Sequence, residues 1–418
     1  MIDGDTRVRV GRALVTLGGR TSRTTRTGVA TFTLRRPAPL RVTAWAPGYR
    51  ARTVRFPFQR RRGVTLRLYR PALQWTMYGA GDRRTQTHPA IRIRPPFRVV
   101  WSRGVGSLVE FPAVVSDGVA YVGNFRGTIY ALSMRSGRPV WRYDPPGGKM
   151  ASSPAIWRDA LVVHGMDGVV RVLDRVSGRV RREVRIGSPI ESSPVVRDGI
   201  DYFGAWNGRV YALDLRTGRV RWSTRSGYKI TSSAALHDGR IFIGDYGGRL
   251  LVLDRSTGRL RFARTVDGRV YGTPAIAGGR VFVPSSTGNS LTAFSTSGRY
   301  LWRVRTGGYV YSSPAVWRGR VFFGSYDGNL YAVSATTGRL AWRVHAGGPV
   351  SGAAVVVAGI AYAGSTWGRI TGIDARSGEV VLRFPHGEYV PVSGNGGRLL
   401  LHGYSRLWAV EPARRIAR

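Results

Sequence analysis

The sequence predicts an all-β fold, an eight-bladed β-propeller of four-stranded blades preceded by a small β-sandwich. The first observation behind this prediction is a serine or threonine followed by glycine that recurs seven times, at intervals of 40 or 41 residues. The second is that each interval holds four short strand-like runs. A fixed period of this length is typical of propellers, whose blades are stable only together. The recurring glycines are Gly137, Gly178, Gly218, Gly258, Gly298, Gly338 and Gly378.

The unit that spans residues 312–344 shows how one repeat makes a blade. Residues 312–317 lead from a polar start into an apolar strand, and residues 321–324, 329–333 and 339–344 supply three more. Glycine, aspartate and asparagine separate the runs, and these residues tolerate the positive φ of tight hairpin turns. We therefore expect four antiparallel strands in each unit.

Seven such units follow one another, and an eighth is incomplete. The run from 390 to 411 supplies a second and a third strand but no fourth. Residues 97–101, ahead of the first unit, have the pattern of a fourth strand. We predict that they complete the eighth blade, which removes open sheet edges from the ring. Bulky residues that end the other fourth strands should pack between blades, and they are Trp141, Trp222, Trp302 and Trp342, with Phe262 and Phe384 in the same place in two other units.

The N-terminal part has a different pattern. Strand-like alternation at 13–19, 28–34 and 40–49 predicts a small β-sandwich over residues 1–70. Residues 71–96 contain four prolines, at Pro71, Pro89, Pro95 and Pro96, and are predicted to be a linker or lead-in to a propeller over residues 97–418.

These residues carry two family resemblances. The unit S-S-P-A followed by V-x-F-G-S-x-D-G-x-L-Y-A-x-x-x-x-T-G-x-x-x-W resembles the repeat of the quinoprotein, or pyrroloquinoline-quinone-like, propellers, over about residues 97–411. That family includes quinone-dependent dehydrogenases and non-enzymatic relatives such as the BamB-type assembly lipoprotein. The phrases A-x-V-T-L-G-G, G-x-A-x-F-x-L and A-x-A-P-G-Y resemble carboxypeptidase-regulatory-like, transthyretin-type modules that accompany extracellular proteins.

The residues argue against a quinone enzyme. The resemblance would imply an adjacent pair of cysteines, a calcium with carboxylate and amide ligands, and an aspartate base, yet the chain has no cysteine. Calcium takes six to eight oxygen ligands, whereas many aspartates occupy turns, as Asp167 and Asp327 do, where they cap the backbone. Glu110 and Glu191 lie near the starts of first strands, without a partner at a definable spacing. We predict no catalytic, metal or cofactor-binding residue.

Charge sets the expected partners. The chain has 65 basic and 23 acidic residues, a formal net charge of +42, which attracts polyanions in a salt-sensitive way. The alternative is that arginine merely coats exposed turns. Nine arginines follow first-turn or third-turn glycines, which project from one face of a propeller, so we predict a polyanion-binding face. They are Arg138, Arg179, Arg219, Arg240, Arg259, Arg280, Arg299, Arg320 and Arg339.

Aromatic residues occupy the second turns, which open on the opposite face. A ring of aromatics at a channel mouth can stack on sugars or grip a peptide, although packing between blades is the alternative. These candidate ligand-binding residues are Phe125, Trp206, Tyr246, Tyr326, Trp367 and Tyr404.

We therefore predict a non-enzymatic binding or scaffold protein of the cell envelope that docks a protein partner or an anionic polymer. The alternatives are a quinone-dependent dehydrogenase and a protein that binds nucleic acid through charge alone. No apolar run approaches the ~20 residues that span a bilayer, and residues 1–10 lack the apolar core of a signal peptide. A processed chain and a cytoplasmic protein both fit, and the combination of modules favours an extracytoplasmic site.

Overall fold

The computed structural model describes residues 1–33, 40–56 and 63–413. These residues form β-strands and two short 3-10 helices, η1 (Pro71–Leu73) and η2 (Tyr78–Ala80), as the all-β prediction requires. Neither helix is long and apolar enough to cross a membrane.

The N-terminal unit is a four-stranded antiparallel sheet in the order β3-β2-β4-β5, next to a parallel pair of β1 and β6. Buried Val15, Ala44 and Leu68 share a core. The strands are β1 (Ile2–Asp3), β2 (Leu14–Leu17), β3 (Arg20–Arg23), β4 (Leu40–Trp45), β5 (Arg52–Phe56) and β6 (Arg67–Leu68).

The strand predicted over residues 28–34 is wrong for 28–33, and Leu34 lies outside the described residues. Gly28 has a φ of 75°, and the amide of Thr25 donates to the carbonyl of Val29 at 2.8 Å. This closed turn reverses the chain where the pattern predicts an extended strand.

Eight further sheets follow in chain order. Their first strands are β9 (Val114–Ser116), β13 (Ala155–Trp157), β17 (Val195–Arg197), β21 (Ala235–His237), β25 (Ala275–Ala277), β29 (Ala315–Trp317), β33 (Val355–Val357) and β37 (Val392–Gly394). Their second strands are β10 (Val119–Gly123), β14 (Ala160–His164), β18 (Ile200–Gly204), β22 (Arg240–Gly244), β26 (Arg280–Ser285), β30 (Arg320–Gly324), β34 (Ile360–Ser365) and β38 (Leu399–His402).

The third and fourth strands complete each sheet antiparallel. The third strands are β11 (Ile129–Ser133), β15 (Val169–Asp174), β19 (Arg209–Asp214), β23 (Arg249–Asp254), β27 (Ser290–Ser295), β31 (Asn329–Ser334), β35 (Arg369–Asp374) and β39 (Arg406–Pro412). The fourth strands are β12 (Pro139–Tyr143), β16 (Val180–Arg185), β20 (Val220–Arg225), β24 (Leu260–Thr265), β28 (Tyr300–Arg305), β32 (Leu340–His345), β36 (Val380–Phe384) and, in the last sheet, β8 (Phe97–Gly104).

The sheets form a multi-bladed propeller around a central channel. First strands of most neighbouring sheets contact one another, and β37 contacts β9, which brings the last sheet next to the first. The predicted closure is confirmed, because β39 pairs antiparallel with β8 from Arg406 opposite Gly104 to Pro412 opposite Phe97.

The recurring glycine has a packing reason. Gly258 has a φ of 73°, and a Cβ there would lie 2.5 Å from the ring of Trp222, in the preceding sheet. The indole N–H of Trp222 donates to the carbonyl of Arg255 at 3.2 Å. Trp141 and Gly178 repeat the contact. The tryptophans thus pack between sheets, as predicted.

Candidate functional site

One end of the channel is closed by residues 75–88. Each of six carbonyls in this segment accepts a hydrogen bond from the amide of a different first strand. Trp75 bridges to the first strand β9, and β7 (Thr87–His88) pairs parallel with β33. The accepting carbonyls belong to Trp75, Thr76, Asp82, Arg83, Thr85 and Gln86. Residues 71–96 are therefore more than the linker that their prolines predict.

Arg84 fills the centre of this closed end. Its side chain is fully buried, and its guanidinium donates to the carbonyls of Tyr78 at 2.5 Å, Ala234 at 2.9 Å, Ser193 at 3.1 Å and Pro194 at 2.9 Å. Burial lowers the pKa of Arg84 to about 10, which leaves the guanidinium charged at neutral pH. Its fixed fork of donors matches carbonyls from two sheets and from its own segment.

At the other end of the channel, two carboxyl groups lie within hydrogen-bond distance of one phenol hydroxyl. The hydroxyl of Tyr271 lies 2.6 Å from Oε1 of Glu191 and 3.2 Å from Oε1 of Glu110. These three residues occupy the same repeat position, four residues before a first strand begins, in alternate sheets. With Thr231 and Tyr311 they line a cavity of about 40 Å³.

Burial dominates the electrostatics of this cavity. It raises the pKa of Glu110 to about 7, and the neighbouring Glu191 adds to the shift. Burial also raises the pKa of Tyr271, and both glutamates raise it further. The phenol therefore keeps its proton, which it can donate to one carboxylate at a time.

A cation and two aromatic rings lie beside the carboxyl pair. Nζ of Lys229 lies 3.3 Å from the ring centroid of Trp206 and 5.0 Å from that of Tyr246. The indole N–H of Trp206 donates to Oε2 of Glu191 at 3.0 Å. Burial lowers the pKa of Lys229, although Glu191 opposes the shift. The lysine is held mainly by cation–π contacts.

Three tyrosines extend the mouth on the other side. The rings of Tyr311 and Tyr326 are 5.1 Å apart, and Tyr309 lies 5.8 Å and 6.0 Å from them. Tyr311 also packs edge-on against Tyr271 at 5.2 Å. Tyr309 and Tyr326 remain exposed.

The structure brings three of the six predicted aromatics close to this site, namely Trp206, Tyr246 and Tyr326. Trp367 and Tyr404 are more exposed, and Phe125 pairs with Lys149 at 5.9 Å. The prediction misses Lys229, Tyr271, Tyr309 and Tyr311. The spacing of about 80 residues from Glu110 to Glu191 and from Glu191 to Tyr271 is a signal that would have joined them.

The nine predicted arginines divide into two groups. First and third turns do lie together, because the amide of Arg255 donates to the carbonyl of Gly239. Arg240 and Arg320 bond to carbonyls of a neighbouring sheet, and Arg280 bonds to the carbonyl of Gly278. The six third-turn arginines are exposed, and none forms an ion pair within 1–33, 40–56 and 63–413.

A pyrroloquinoline quinone with calcium does not fit this site. The cavity of about 40 Å³ is far below the ~300–1,000 Å³ of usual ligand pockets. No three His, Cys, Asp or Glu side chains gather to hold a metal anywhere in the described part of the chain. Glu110 and Glu191 are the carboxylates that line the cavity, whereas calcium takes six to eight oxygens.

Comparison with known proteins agrees with the repeat. The family described as outer membrane protein assembly factor BamB matches residues 96–228, 206–299 and 285–388. The chain belongs to this family. A 1-butanol dehydrogenase (cytochrome c) from Thauera butanivorans is 31% identical over 122 residues, which cover 25% of this chain and 18% of the dehydrogenase. The matched segments span a quarter or less of the curated relatives.

Solved structures show the same fold. BamB from Moraxella catarrhalis is similar with a TM-score of 0.65 at 17% identity, over 78% of this chain and all of that one. The quinohemoprotein alcohol dehydrogenase from Comamonas testosteroni reaches 0.70 at 14% identity, over 82% of each chain. At these identities the likeness supports the propeller and leaves the activity open.

Proposed function

We propose that this protein is a non-enzymatic docking protein of the cell envelope, built on a closed ring of eight blades with a carboxypeptidase-regulatory-like module at its N-terminus. The observation that carries the proposal is the central channel. One end is filled by Arg84 and residues 75–88, and the other keeps exposed aromatic rings around a cavity too small for a quinone.

The aromatic face is the proposed surface for a protein partner. Exposed tyrosine and tryptophan provide large contact areas at a low cost in side-chain entropy, which is typical of interface hot spots. The family match to an outer membrane assembly factor supports a protein partner. The dehydrogenase relatives support an enzyme, but the residues lining the channel do not fit its cofactor.

Photo-crosslinking in cells tests the docking proposal. A photoreactive amino acid at Trp367 or Tyr404, on the aromatic face, should give one discrete adduct with a protein that mass spectrometry identifies. The same group at Tyr300, an exposed residue on a fourth strand, is the control and should give none. Absence of adducts from the aromatic face, or equal adducts from all three positions, would contradict the proposal.

A second candidate function is polyanion binding by the third-turn arginines. It is favoured because these six side chains are exposed, and no carboxylate of the described residues pairs with them. An arginine fork suits phosphate and carboxylate groups. This function predicts affinity that falls steeply with salt, whereas protein docking should persist at moderate salt.

A further inference from the structure

Neither carboxyl group at the open end forms a salt bridge with a described residue, although the chain is strongly basic. The chain carries 65 basic and 23 acidic residues. Within the described ranges the glutamates that form ion pairs are Glu183 and Glu411, and neither Glu110 nor Glu191 does. The ammonium of Lys229 lies over the ring of Trp206, whose indole N–H donates to Glu191.

The hydrogen bonds of the cavity are also incomplete. Tyr271 has one proton for two carboxyl groups. The hydroxyl of Thr231, a residue that is 4% exposed and lines the same cavity, makes no hydrogen bond of normal geometry with any described residue, although it lies near the phenol of Tyr246. A buried polar atom without a partner costs free energy that a ligand can recover. The cavity therefore offers three acceptors, from Glu110, Glu191 and Thr231, to a group with donors only.

We propose that this cavity binds a primary alkylammonium group. An ammonium carries three N–H donors and no acceptor, which matches the oxygens of the two carboxyl groups and of the threonine hydroxyl. A volume of about 40 Å³ suits a group the size of a water molecule, which needs only ~10–15 Å³ of such space. The rings of Tyr271 and Tyr311 line the same cavity and offer apolar surface to an alkyl stem. The inference deepens the proposed function, because a lysine of a protein partner would present this group.

The field of the protein gives the site a distinctive salt dependence. A formal charge of +42 repels any cation over long range, and Lys229 and Arg269 near the mouth add local repulsion. Salt screens these distant charges more than it screens a buried contact. Binding of an ammonium should therefore strengthen as salt rises, whereas binding of a polyanion weakens.

Calorimetric titration of the full chain tests the proposal. The probes are n-butylammonium and Nα-acetyl-lysine N-methylamide, each at low and near-physiological salt. One molecule should bind per chain, more tightly at the higher salt. Glu110→Gln and Glu191→Gln should each weaken binding at least about tenfold, and Thr231→Val about threefold. Glu379→Gln, an exposed glutamate in a third turn, is the charge-matched control and should change nothing.

The outcomes distinguish a simple alkylammonium from a lysine side chain as the ligand. They also distinguish failure of the ammonium site from failure of the docking proposal. Binding of both probes supports the site for any alkylammonium, and binding of the lysine derivative alone assigns it to peptides. Absence of saturable binding, or equal affinity in Glu110→Gln and Glu379→Gln, overturns it. Near-ultraviolet circular dichroism establishes that each variant is folded. If neither probe binds while the adduct at Trp367 forms, the ammonium site fails and the docking proposal stands.

Discussion

The buried ionisable groups at the two ends of the channel differ in how fully they are hydrogen-bonded. At the closed end the buried charge is partnered by the chain itself, because the guanidinium of Arg84 donates to four carbonyls. At the open end, Glu110 and Glu191 share one phenol, and the hydroxyl of Thr231 makes no hydrogen bond of normal geometry within the part of the chain that the structure describes. The difference indicates that the closed end serves stability and that the open end is available to a ligand.

The largest effect on the free energy of unfolding should come from replacing Arg84 at the closed end. Arg84→Met leaves buried carbonyls without donors, and we expect the free energy of unfolding to fall by about 3–5 kcal/mol. Urea unfolding measures the loss. Arg83→Met is the matched control, because Arg83 is exposed and its contact with β25 is through the backbone. If Arg84→Met were as stable as Arg83→Met, the closed end would not be held by its guanidinium.

The open end of the channel should oppose ionisation of the Glu110 carboxyl group. The pKa of Glu110 is raised to about 7 in the folded chain from an ordinary value of 4.5. Between these pH values the folded state keeps a proton that the unfolded state has released, so stability falls as pH rises, by about 3 kcal/mol. Glu110→Gln removes this loss. Urea unfolding at the two ends of the pH range should show wild type and Glu379→Gln losing more stability than Glu110→Gln. Parallel losses in all three would contradict the account.

The first and third turns, which lie together on one face of the propeller, test how the sheets pack. Gly258 and Gly239 have φ of 73° and 68°, so alanine strains both backbones by about 1 kcal/mol. A Cβ at 258 would also strike Trp222, whereas one at 239 has nothing within 4 Å. We expect Gly258→Ala to cost about 1–3 kcal/mol more than Gly239→Ala, measured by thermal unfolding. Equal costs would mean that the tryptophan contact is unimportant.

The smallest effect on stability should come from the exposed arginines of the same face. The triple variant Arg179→Gln, Arg219→Gln and Arg259→Gln should unfold like wild type. If this face binds polyanions, the slope of log affinity for duplex DNA against log salt should fall by up to about three, one for each phosphate contact.

A control variant with the same change in charge distinguishes a polyanion-binding face from arginines that act only through the net charge of the surface. Arg20→Gln, Arg23→Gln and Arg26→Gln remove three exposed arginines from the N-terminal unit. An equal fall in slope for this control would mean that the arginines act only through net charge.

The repeats were predictable because their signal is local. The strands predicted in the unit 312–344 begin and end within three residues of β29 to β32, since apolar runs and turn glycines specify each hairpin. Closure by residues 97–101 followed from counting strands. A fixed period thus gave the sheets without any long-range information.

The channel was not predictable by the same means. Residues 75–88 have no periodic pattern, and they bind the first strands through backbone groups, which leave no mark on the sequence. Glu110, Glu191 and Tyr271 are 80 or more residues apart, and they meet only because alternate sheets present one repeat position to the same cavity. Aligning repeats by turn position would have found this group, whereas the cation–π role of Lys229 depends on side-chain geometry.

Titration with pyrroloquinoline quinone and calcium, followed by tryptophan fluorescence and by alcohol-dependent dye reduction, tests the central claim most directly. A closed channel with a cavity of about 40 Å³ predicts no saturable binding and no dye reduction. Saturation at one site per chain with alcohol-dependent reduction would contradict the claim and make this propeller a dehydrogenase.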